Sequence, residues 1–358
     1  MRFWRTSPPP PPLPPTILEL YLAHRPDAAL EPSTFASRRV ALPAQTPTQA
    51  LVKTLYLSCD PAMRVWLSPA RSYMPPVPEG ARMRAFGVGE VVRPGPALRV
   101  GDLVEGMLGW GEYAALEEDK LKRVAVPRGL PPSVMLGVLG ITGLTAYFGL
   151  LQVGALKRGE TVVVSAAAGA TGSVVCQIAK NVYGCRVVGI AGGTVKCRYL
   201  EDVLGVAAVD YKSEEGVDAG LKRVLGKSRI DVYFDNVGGK TLEAALRRIA
   251  QGARIVVCGA ISGYNKKELQ PGPYNYVNLI SYGATMRGFL LREFEKEFDR
   301  AKADLSRWIR EGKVDFREDV VNGLENAPEG MKRLFEGKNI GKVVIRVAEG
   351  GTGVQAKL

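Results

Sequence analysis

Apolar positions in the first third of the chain recur in short runs broken by proline and glycine. Ile17-Leu18-Glu19-Leu20-Tyr21-Leu22 starts one run, near the point where order is expected to begin, and Leu51-Val52-Lys53-Thr54-Leu55-Tyr56-Leu57 is another. Residues 87–92 and 103–106 follow the same habit. Short strands with turn residues between them predict an antiparallel, barrel-like unit up to about residue 130. The middle of the chain differs. Thr161-Val162-Val163-Val164-Ser165 is a buried-strand run, followed by a glycine-containing turn and a helical stretch through Lys180. Residues 186–190 form a second run, with a helix through Leu204, and residues 207–211, 230–235 and 254–258 are a third, fourth and fifth. Apolar strands alternating with helices predict an α/β fold, a doubly wound parallel sheet with helices on both faces. Residues 341–347 read as a last strand that returns to the first unit, and no internal repeat is evident.

The ends carry less pattern. Residues 8–15 are nearly all proline, so residues 1–16 are expected to be an extended, disordered tail. Arg2 and Arg5 precede that proline run where a secretory signal would have an apolar core.

Composition narrows the class. The 358 residues suffice for about two domains. With 46% hydrophobic and 23% charged residues the chain reads as soluble and globular. No apolar run approaches the roughly 18 residues of a membrane span. The formal charge of +12 raises nucleic acid as a partner, but the cations are scattered and no zinc-finger or RNA-binding motif accompanies them. A basic surface suited to a phosphorylated cofactor is the simpler expectation. The five cysteines, Cys59, Cys176, Cys185, Cys197 and Cys258, form no CxxC pair and are expected as reduced thiols in an intracellular protein. The single histidine, His24, is expected at the surface or a strand end, and a Cys/His zinc site is hard to assemble from this inventory.

Candidate chemistry begins at Ala167-Ala168-Gly169-Ala170-Thr171-Gly172, a GxGxxG variant with alanine first. It follows a predicted strand and opens a predicted helix, the context in which small residues let backbone approach a pyrophosphate and a helix N-terminus offers free N–H groups. The second strand ends Gly189-Ile190-Ala191-Gly192-Gly193-Thr194 without the acidic residue that holds an NAD ribose. Lys196 and Arg198 come next. Cations at a helix start oppose its dipole, so they are either solvated or matched to an anion such as a 2′-phosphate.

Six segments together carry a family resemblance. They are Leu57-Ser58-Cys59-Asp60-Pro61-Ala62-Met63-Arg64, Gly143-Leu144-Thr145-Ala146-Tyr147-Phe148-Gly149-Leu150 and Ala166-Ala167-Ala168-Gly169-Ala170-Thr171-Gly172-Ser173. Asp235-Asn236-Val237-Gly238-Gly239, Cys258-Gly259-Ala260-Ile261-Ser262-Gly263-Tyr264-Asn265 and Asn339-Ile340-Gly341-Lys342 complete the set. From about Ile17 to Val347 the chain resembles the zinc-free medium-chain dehydrogenases/reductases, in the leukotriene B4 dehydrogenase/prostaglandin reductase and plant double-bond reductase branch. The resemblance implies a GroES-like, mostly antiparallel β-barrel catalytic domain over residues 17–143 and 312–358. It implies a Rossmann NADP-binding domain over residues 144–311, a cofactor cleft between the two, NADPH as cofactor, and a homodimer.

The resemblance also implies roles. Ala167, Gly169, Ala170, Thr171 and Gly172 would cradle the pyrophosphate. Lys196 and Tyr211 would meet the 2′-phosphate with Gly192 nearby. Asn236 and Cys258 would line the adenosine and nicotinamide ends, with Phe289 among the contacts and Asn339 reaching in from the returning segment. Tyr264 would reach the phosphate–ribose region and the reaction pocket. Relatives usually carry tyrosine where this chain has Ala62, which implies a wider substrate pocket. Tyr73 could supply an aromatic wall there or simply anchor its loop.

The expected activity is reduction of the double bond of an α,β-unsaturated ketone or aldehyde by hydride delivered to its β-carbon, without metal. Hydrogen-bond donors would then stabilise the enolate, each worth about 3 kcal/mol in a dry site. Tyr264 is the preferred donor, alone or with the cofactor's ribose hydroxyl. Its alternative role is to hold the cofactor only. A zinc-free quinone reductase or an alcohol/ketone oxidoreductase is the competing enzyme class, and a non-catalytic NADPH- or RNA-binding protein is the competing class outside enzymes. The terminal Ala356-Lys357-Leu358 resembles a Ser-Lys-Leu peroxisomal address, so a cytoplasmic or peroxisomal location is expected.

Overall fold

The structure is a computed structural model and describes residues 12–349 except Arg71, Leu269 and Gln270. Most of the proline-rich tail and the terminal tripeptide lie outside the described residues. Of the tail, Pro12 to Pro15 are described, and the Pro15 carbonyl already accepts the Leu42 N–H at 3.0 Å. The ladder thus starts slightly earlier than the expected boundary.

The first unit grows from an antiparallel pair, β1 (Thr16–Leu22) and β2 (Phe35–Ala41), in register from Thr16↔Ala41 to Leu22↔Phe35. The ten-residue β3 (Gln49–Ser58) is the spine of the larger sheet. It pairs with β4 (Gly87–Arg93) along one side, and β5 (Leu103–Gly106) continues from β4. On its other side it pairs first with β6 (Tyr113–Glu117), and β7 (Lys122–Arg123) closes on β5. Leu57, Met63, Trp66 and Trp110 fill the interior, each at most 4% exposed. His24 lies just beyond β1, its N–H bound to the Thr34 carbonyl.

The helix α1 (Ile141–Phe148) leads into the second unit. Six parallel strands follow: β8 (Thr161–Ser165), β9 (Arg186–Ala191), β10 (Ala207–Asp210), β11 (Ile230–Asp235), β12 (Ile249–Val257) and β13 (Thr285–Gly288). The helices are α2 (Ala170–Gln177), α3 (Thr194–Arg198), α4 (Gly216–Leu225), α5 (Gly239–Leu246), α6 (Asn278–Ser281) and α7 (Phe298–Arg310). Strand order is β10-β9-β8-β11-β12-β13. The chain therefore winds outward one way from β8 and the other way from β11, and the crevice between those two strands is where such a sheet binds ligands.

Both faces of this sheet are covered, which explains the unbroken apolar runs. Val162, Val164, Val232, Phe234 and Val256 pack with α1, α2 and α7 through Leu144, Phe148, Val175 and Leu305. The alternate residues Val163, Tyr233 and Ile255 pack on the opposite face with α4 and α5 through Leu221, Leu225 and Leu246. On α7, Ala301, Leu305 and Trp308 make one buried stripe, and the Trp308 ring stacks on Tyr147 at 5.8 Å.

The chain then returns through β14 (Glu318–Asn322), α8 (Ala327–Glu336) and β15 (Lys342–Arg346). β15 pairs with the far end of β3, Val344 opposite Ser58 and Arg346 opposite Tyr56, as expected for a strand returning to the first unit. Several strands escape the hydrophobic pattern. β2, β13 and β14 carry arginines or acids, and β12 starts at Ile249, before the apolar run at residues 254–258 begins.

Candidate active site at the carboxyl edge of the parallel sheet

The turn after β8 is built from small residues packed against one another. Ala166 holds a left-handed φ of +48°, unusual for a residue with a side chain. The Ala167 N–H bonds back to Ile190 of β9 at 3.0 Å, tying the turn to the neighbouring strand. A Cβ on Gly172 would sit 2.4 Å from the Ala166 carbonyl oxygen, so only glycine allows α2 to start this close to the turn. A Cβ on Gly169 would meet the same oxygen at 3.2 Å, tight but not closed. No side chain caps the N-terminus of α2, so the first-turn N–H groups around Ala170, Thr171 and Gly172 are open to an anion. The returning segment closes the far side, with the Gly341 N–H bonded to the Ala168 carbonyl at 2.8 Å. Asn339, 7% exposed, donates to the Gly341 carbonyl at 3.0 Å and shapes that segment.

A cationic bay lies beyond β9. The Tyr211 ring occupies the space over Gly192, where a Cβ would come within 2.6 Å of it. Lys196 stands on α3 and is partly buried. Burial lowers its ammonium pKa, Lys212 lowers it further, and Asp319 offsets part of this. Lys212 also lies 5.9 Å from the Tyr211 ring centroid. Asp210 is occupied by the N–H groups of Gly193 and Lys212, both at 2.9 Å, and Asp319 is paired with Arg333 at 2.8 Å. Two ammonium groups that repel each other across a bay lacking a free carboxylate suit a doubly charged phosphate. Arg198 points outward and is exposed. Lys212 is a residue that sequence reasoning missed, because its part depends on nearness to Lys196 and on no motif.

The crevice between β8 and β11 holds Asn236. Its Nδ2 donates to the Ser165 carbonyl at 2.7 Å and its backbone N–H to Ser165 Oγ at 2.8 Å. Ser165 Oγ in turn donates to Asp235 at 2.9 Å. Asp235 is 1% exposed, and its carboxylate also accepts from the Tyr233 hydroxyl and the Val237 and Gly238 N–H groups, each at 3.0 Å. Burial raises the Asp235 pKa, and those donors partly offset it. The network leaves Asn236 Oδ1 as the acceptor offered to a ligand.

Cys258 and Tyr264 follow β12. Burial, then Asp235, pushes the Cys258 thiol up to about 12, so it is a neutral wall and no nucleophile. The Tyr264 hydroxyl accepts the Ala260 N–H at 3.1 Å, and its own proton remains available to donate. Burial raises its pKa, Ala260 opposes this, and Cys258, Tyr73 and Asp235 add to it. Tyr73 comes from the first unit, so the fold brings these two tyrosines together across the cleft. Tyr73 is 52% exposed, and its hydroxyl accepts from Trp66 Nε1 at 3.2 Å, so its ring is both anchored and presented. Ala62 lies in the turn of 3-10 helix between Asp60 and Ser68. Phe289 turns inward: a Cβ on Gly149 would lie 2.8 Å from its ring, which also meets Phe294 at 6.3 Å between centroids.

Two buried cations brace the barrel side of the cleft. Arg64, 4% exposed, donates to the Ala28 carbonyl at 2.8 Å, the Pro26 carbonyl at 3.1 Å and Asn265 Oδ1 at 3.1 Å. It thus clasps the residue next to Tyr264 from the opposite unit. Lys342, also 4% exposed, donates to the Cys59 carbonyl at 2.6 Å and to Asp60 at 3.0 Å. Sequence reasoning gave neither a role.

Metal ligands do not converge. Among the described residues no group of three or more His, Cys, Asp or Glu side chains could hold an ion. Cys59 is buried with its thiol pushed up to about 12, and the Lys342 ammonium holds Asp60 beside it.

The chain is similar to several known proteins. A family model for the N-terminal domain of oxidoreductases matches residues 19–124, and one described as zinc-binding dehydrogenase matches residues 170–307. The NADPH-dependent curcumin reductase of Escherichia coli is 40% identical over 334 residues, covering 91% of this chain and 96% of that protein. The NADP(+)-dependent 2-alkenal reductase of Nicotiana tabacum is 41% identical over 301 residues, covering 83% and 87%. The crystal structure of CurA from Vibrio vulnificus in complex with NADPH superposes with a TM-score of 0.87 at 38% identity, covering 93% and 99%.

Proposed function

The chain belongs to the alkenal, prostaglandin and curcumin reductase branch of the medium-chain dehydrogenase/reductase family, and from that premise we propose that it reduces the carbon–carbon double bond of α,β-unsaturated ketones and aldehydes without a metal. NADPH is the cofactor of this reading, and when bound it supplies the hydride that the substrate's β-carbon receives. The turn from Ala167 to Gly172 and the open start of α2 would hold its pyrophosphate. Lys196, Lys212, Tyr211 and Gly192 would hold its 2′-phosphate. Asn236, Cys258, Phe289 and Asn339 complete the proposed cofactor wall.

As the β-carbon is reduced, negative charge gathers on the substrate carbonyl oxygen. The Tyr264 hydroxyl is the donor we assign to that oxygen. Its acceptor side is already taken by the Ala260 N–H, which polarises the O–H outward. Its raised pKa keeps it protonated and able to donate at neutral pH. This single arrangement carries the reading. Tyr264 or water then protonates the α-carbon. Arg64, through Asn265, fixes the turn that bears Tyr264, and Tyr73 walls a pocket that Ala62 leaves wide. The donor set around Cys59 and Asp60 supports a metal-free site, because Lys342 already holds the Asp60 carboxylate and the buried Cys59 thiol faces the Ala327 carbonyl.

NADPH consumption against a panel of enones, enals and quinones, with product identification, tests this. Saturated carbonyl products from enones and enals are expected. Turnover of quinones alone, or of ketones to alcohols, would move the chain to the competing oxidoreductase classes, and no turnover at all would leave a binding protein.

A homodimer is supported by β13, an edge strand of its sheet, and by exposed Tyr274, Tyr276, Val277 and Ile280 beside it. No helix among the described residues is long and apolar enough to cross a membrane. We place the protein in the cytoplasm or the peroxisome. A fluorescent fusion ending in Ala356-Lys357-Leu358 decides between them by diffuse signal or peroxisomal puncta.

A further inference from the structure

The amino-terminal edge of the parallel sheet, opposite the crevice described above, carries a second concave surface. A cleft of about 280 Å³ lies between the ends of α4 and α5, where β11 and β12 begin. Lys227, Arg229, Arg247 and Arg248 line it, and no carboxylate does. Cations near helix C-termini often serve the exposed carbonyls there. Here that work is done by others. Arg186 takes the Val224 and Leu225 carbonyls of α4, at 2.6 and 3.4 Å. Asn275 and Asn278 take the Glu243 and Leu246 carbonyls of α5, both at 2.9 Å.

Three of the four cations are instead held in place around the cleft. Arg229 donates to the Tyr282 hydroxyl at 3.0 Å and lies 5.2 Å from that ring's centroid. Arg247 donates to the Tyr274 hydroxyl, and Arg247 and Arg248 share Asp218 at 3.4 and 3.0 Å. Lys227 has no ion-pair partner among the described residues. Arg248 Nε is buried with no hydrogen-bond partner, a donor that is costly to leave unmet. One carboxylate outside the lining is thus shared by two of the four cations, and an orphan guanidinium N–H stands among them.

We propose that this cleft is a binding site for a diphosphate group, separate from the cofactor crevice. Guanidinium forks match phosphate oxygens, and fixed tyrosine partners pre-organise two of them. The volume falls at the lower limit of ligand pockets, about 300 Å³, which suits a diphosphate better than a whole dinucleotide. The inference does not depend on the reductase reading, since its test reads binding only.

The test is calorimetric titration of the full chain with inorganic pyrophosphate and, separately, with ADP, at fixed ionic strength, with and without saturating NADPH. With saturating NADPH filling the cofactor crevice, whose own turn would otherwise take a diphosphate, one further site per chain is expected. K227Q and R229Q together should weaken binding about tenfold or more, whereas the distant K120Q should not change it. These two residues are exposed and carry the test, because R248Q would also disturb Asp218. Tighter binding of ADP than of pyrophosphate assigns a nucleotide-borne diphosphate, and equal binding assigns a free one. Absence of saturable binding in the presence of saturating NADPH, or equal loss in K120Q, would overturn the proposal. So would capture of a single-stranded RNA without measurable pyrophosphate binding.

Discussion

The two units of this molecule contribute to the cleft in opposite ways. The parallel-sheet unit supplies groups that sit within a few residues of a strand end: the turn from Ala167 to Gly172 after β8, Gly192 to Lys196 after β9, and Asn236 after β11. The barrel unit supplies groups that matter only through distant partners. Arg64 meets Asn265 across 201 residues of chain, and Lys342 meets Asp60 across 282. In the proposed reading, local groups hold what every member of a cofactor class presents, a pyrophosphate and a ribose. In the same reading, distant groups set how the barrel wall meets the reacting carbonyl.

The comparison can be broken first at its hinge, Tyr264. Tyr264→Phe should lower kcat by about 10²-fold while the NADPH Kd barely moves, the loss expected for one oxyanion donor. A rise in Kd with kcat unchanged would make Tyr264 a cofactor-holding residue. The working form is the protonated phenol and its pKa is raised by burial. Activity carried by it should therefore persist as pH rises through the ordinary tyrosine value of about 10 and fall only above it. A kcat that already declines between neutrality and that value through this group would contradict the assignment.

The local half of the comparison rests on Lys196. Lys196→Ala should weaken NADPH by about tenfold or more, for a lost charge-assisted contact of about 1.5–3 kcal/mol, and leave NADH almost unaffected. Equal weakening of both would remove Lys196 from the phosphate bay.

Arg64 and Asn265 sharpen the distant half. Arg64→Lys and Asn265→Ala should each lower kcat by about tenfold, by loosening one charge-assisted contact of about 1.5 kcal/mol, with NADPH Kd unchanged. The double variant should lose little more than either single one, because one clasp is being removed twice. Additive losses would mean that the two residues act separately.

The smallest expected effect is none. A chelator should leave turnover unchanged and elemental analysis should find no stoichiometric zinc. Activity lost on chelation and restored by zinc would return the site to metal chemistry.

How much of this was legible in the chain follows the same division. Strands buried on both faces, such as Val162-Val163-Val164, announce themselves by apolar runs, and the small-residue turn announces itself by its place between strand and helix. β14, with Glu318 and Asp319, and β13, with only four residues, carry too little periodicity to be seen. Lys196 was readable because its strand ends without an acid. Lys212 was not, because its contribution is a repulsion between two ammonium groups that only the fold brings close. Arg64 stood in a segment that carried the family resemblance, yet nothing in its spacing says that it is 4% exposed and bonded only to neutral acceptors. Phe289 was expected at the cofactor from resemblance alone. Its ring packs inward beside Phe294, so the contact we propose for it falls to its backbone.

The account stands on where the hydride goes. Turnover of an α,β-unsaturated ketone with NADPH deuterated at the transferable position, followed by NMR of the product, reads this directly. The account predicts a saturated ketone carrying one deuterium on its β-carbon. An allylic alcohol with deuterium on the carbinol carbon would contradict it.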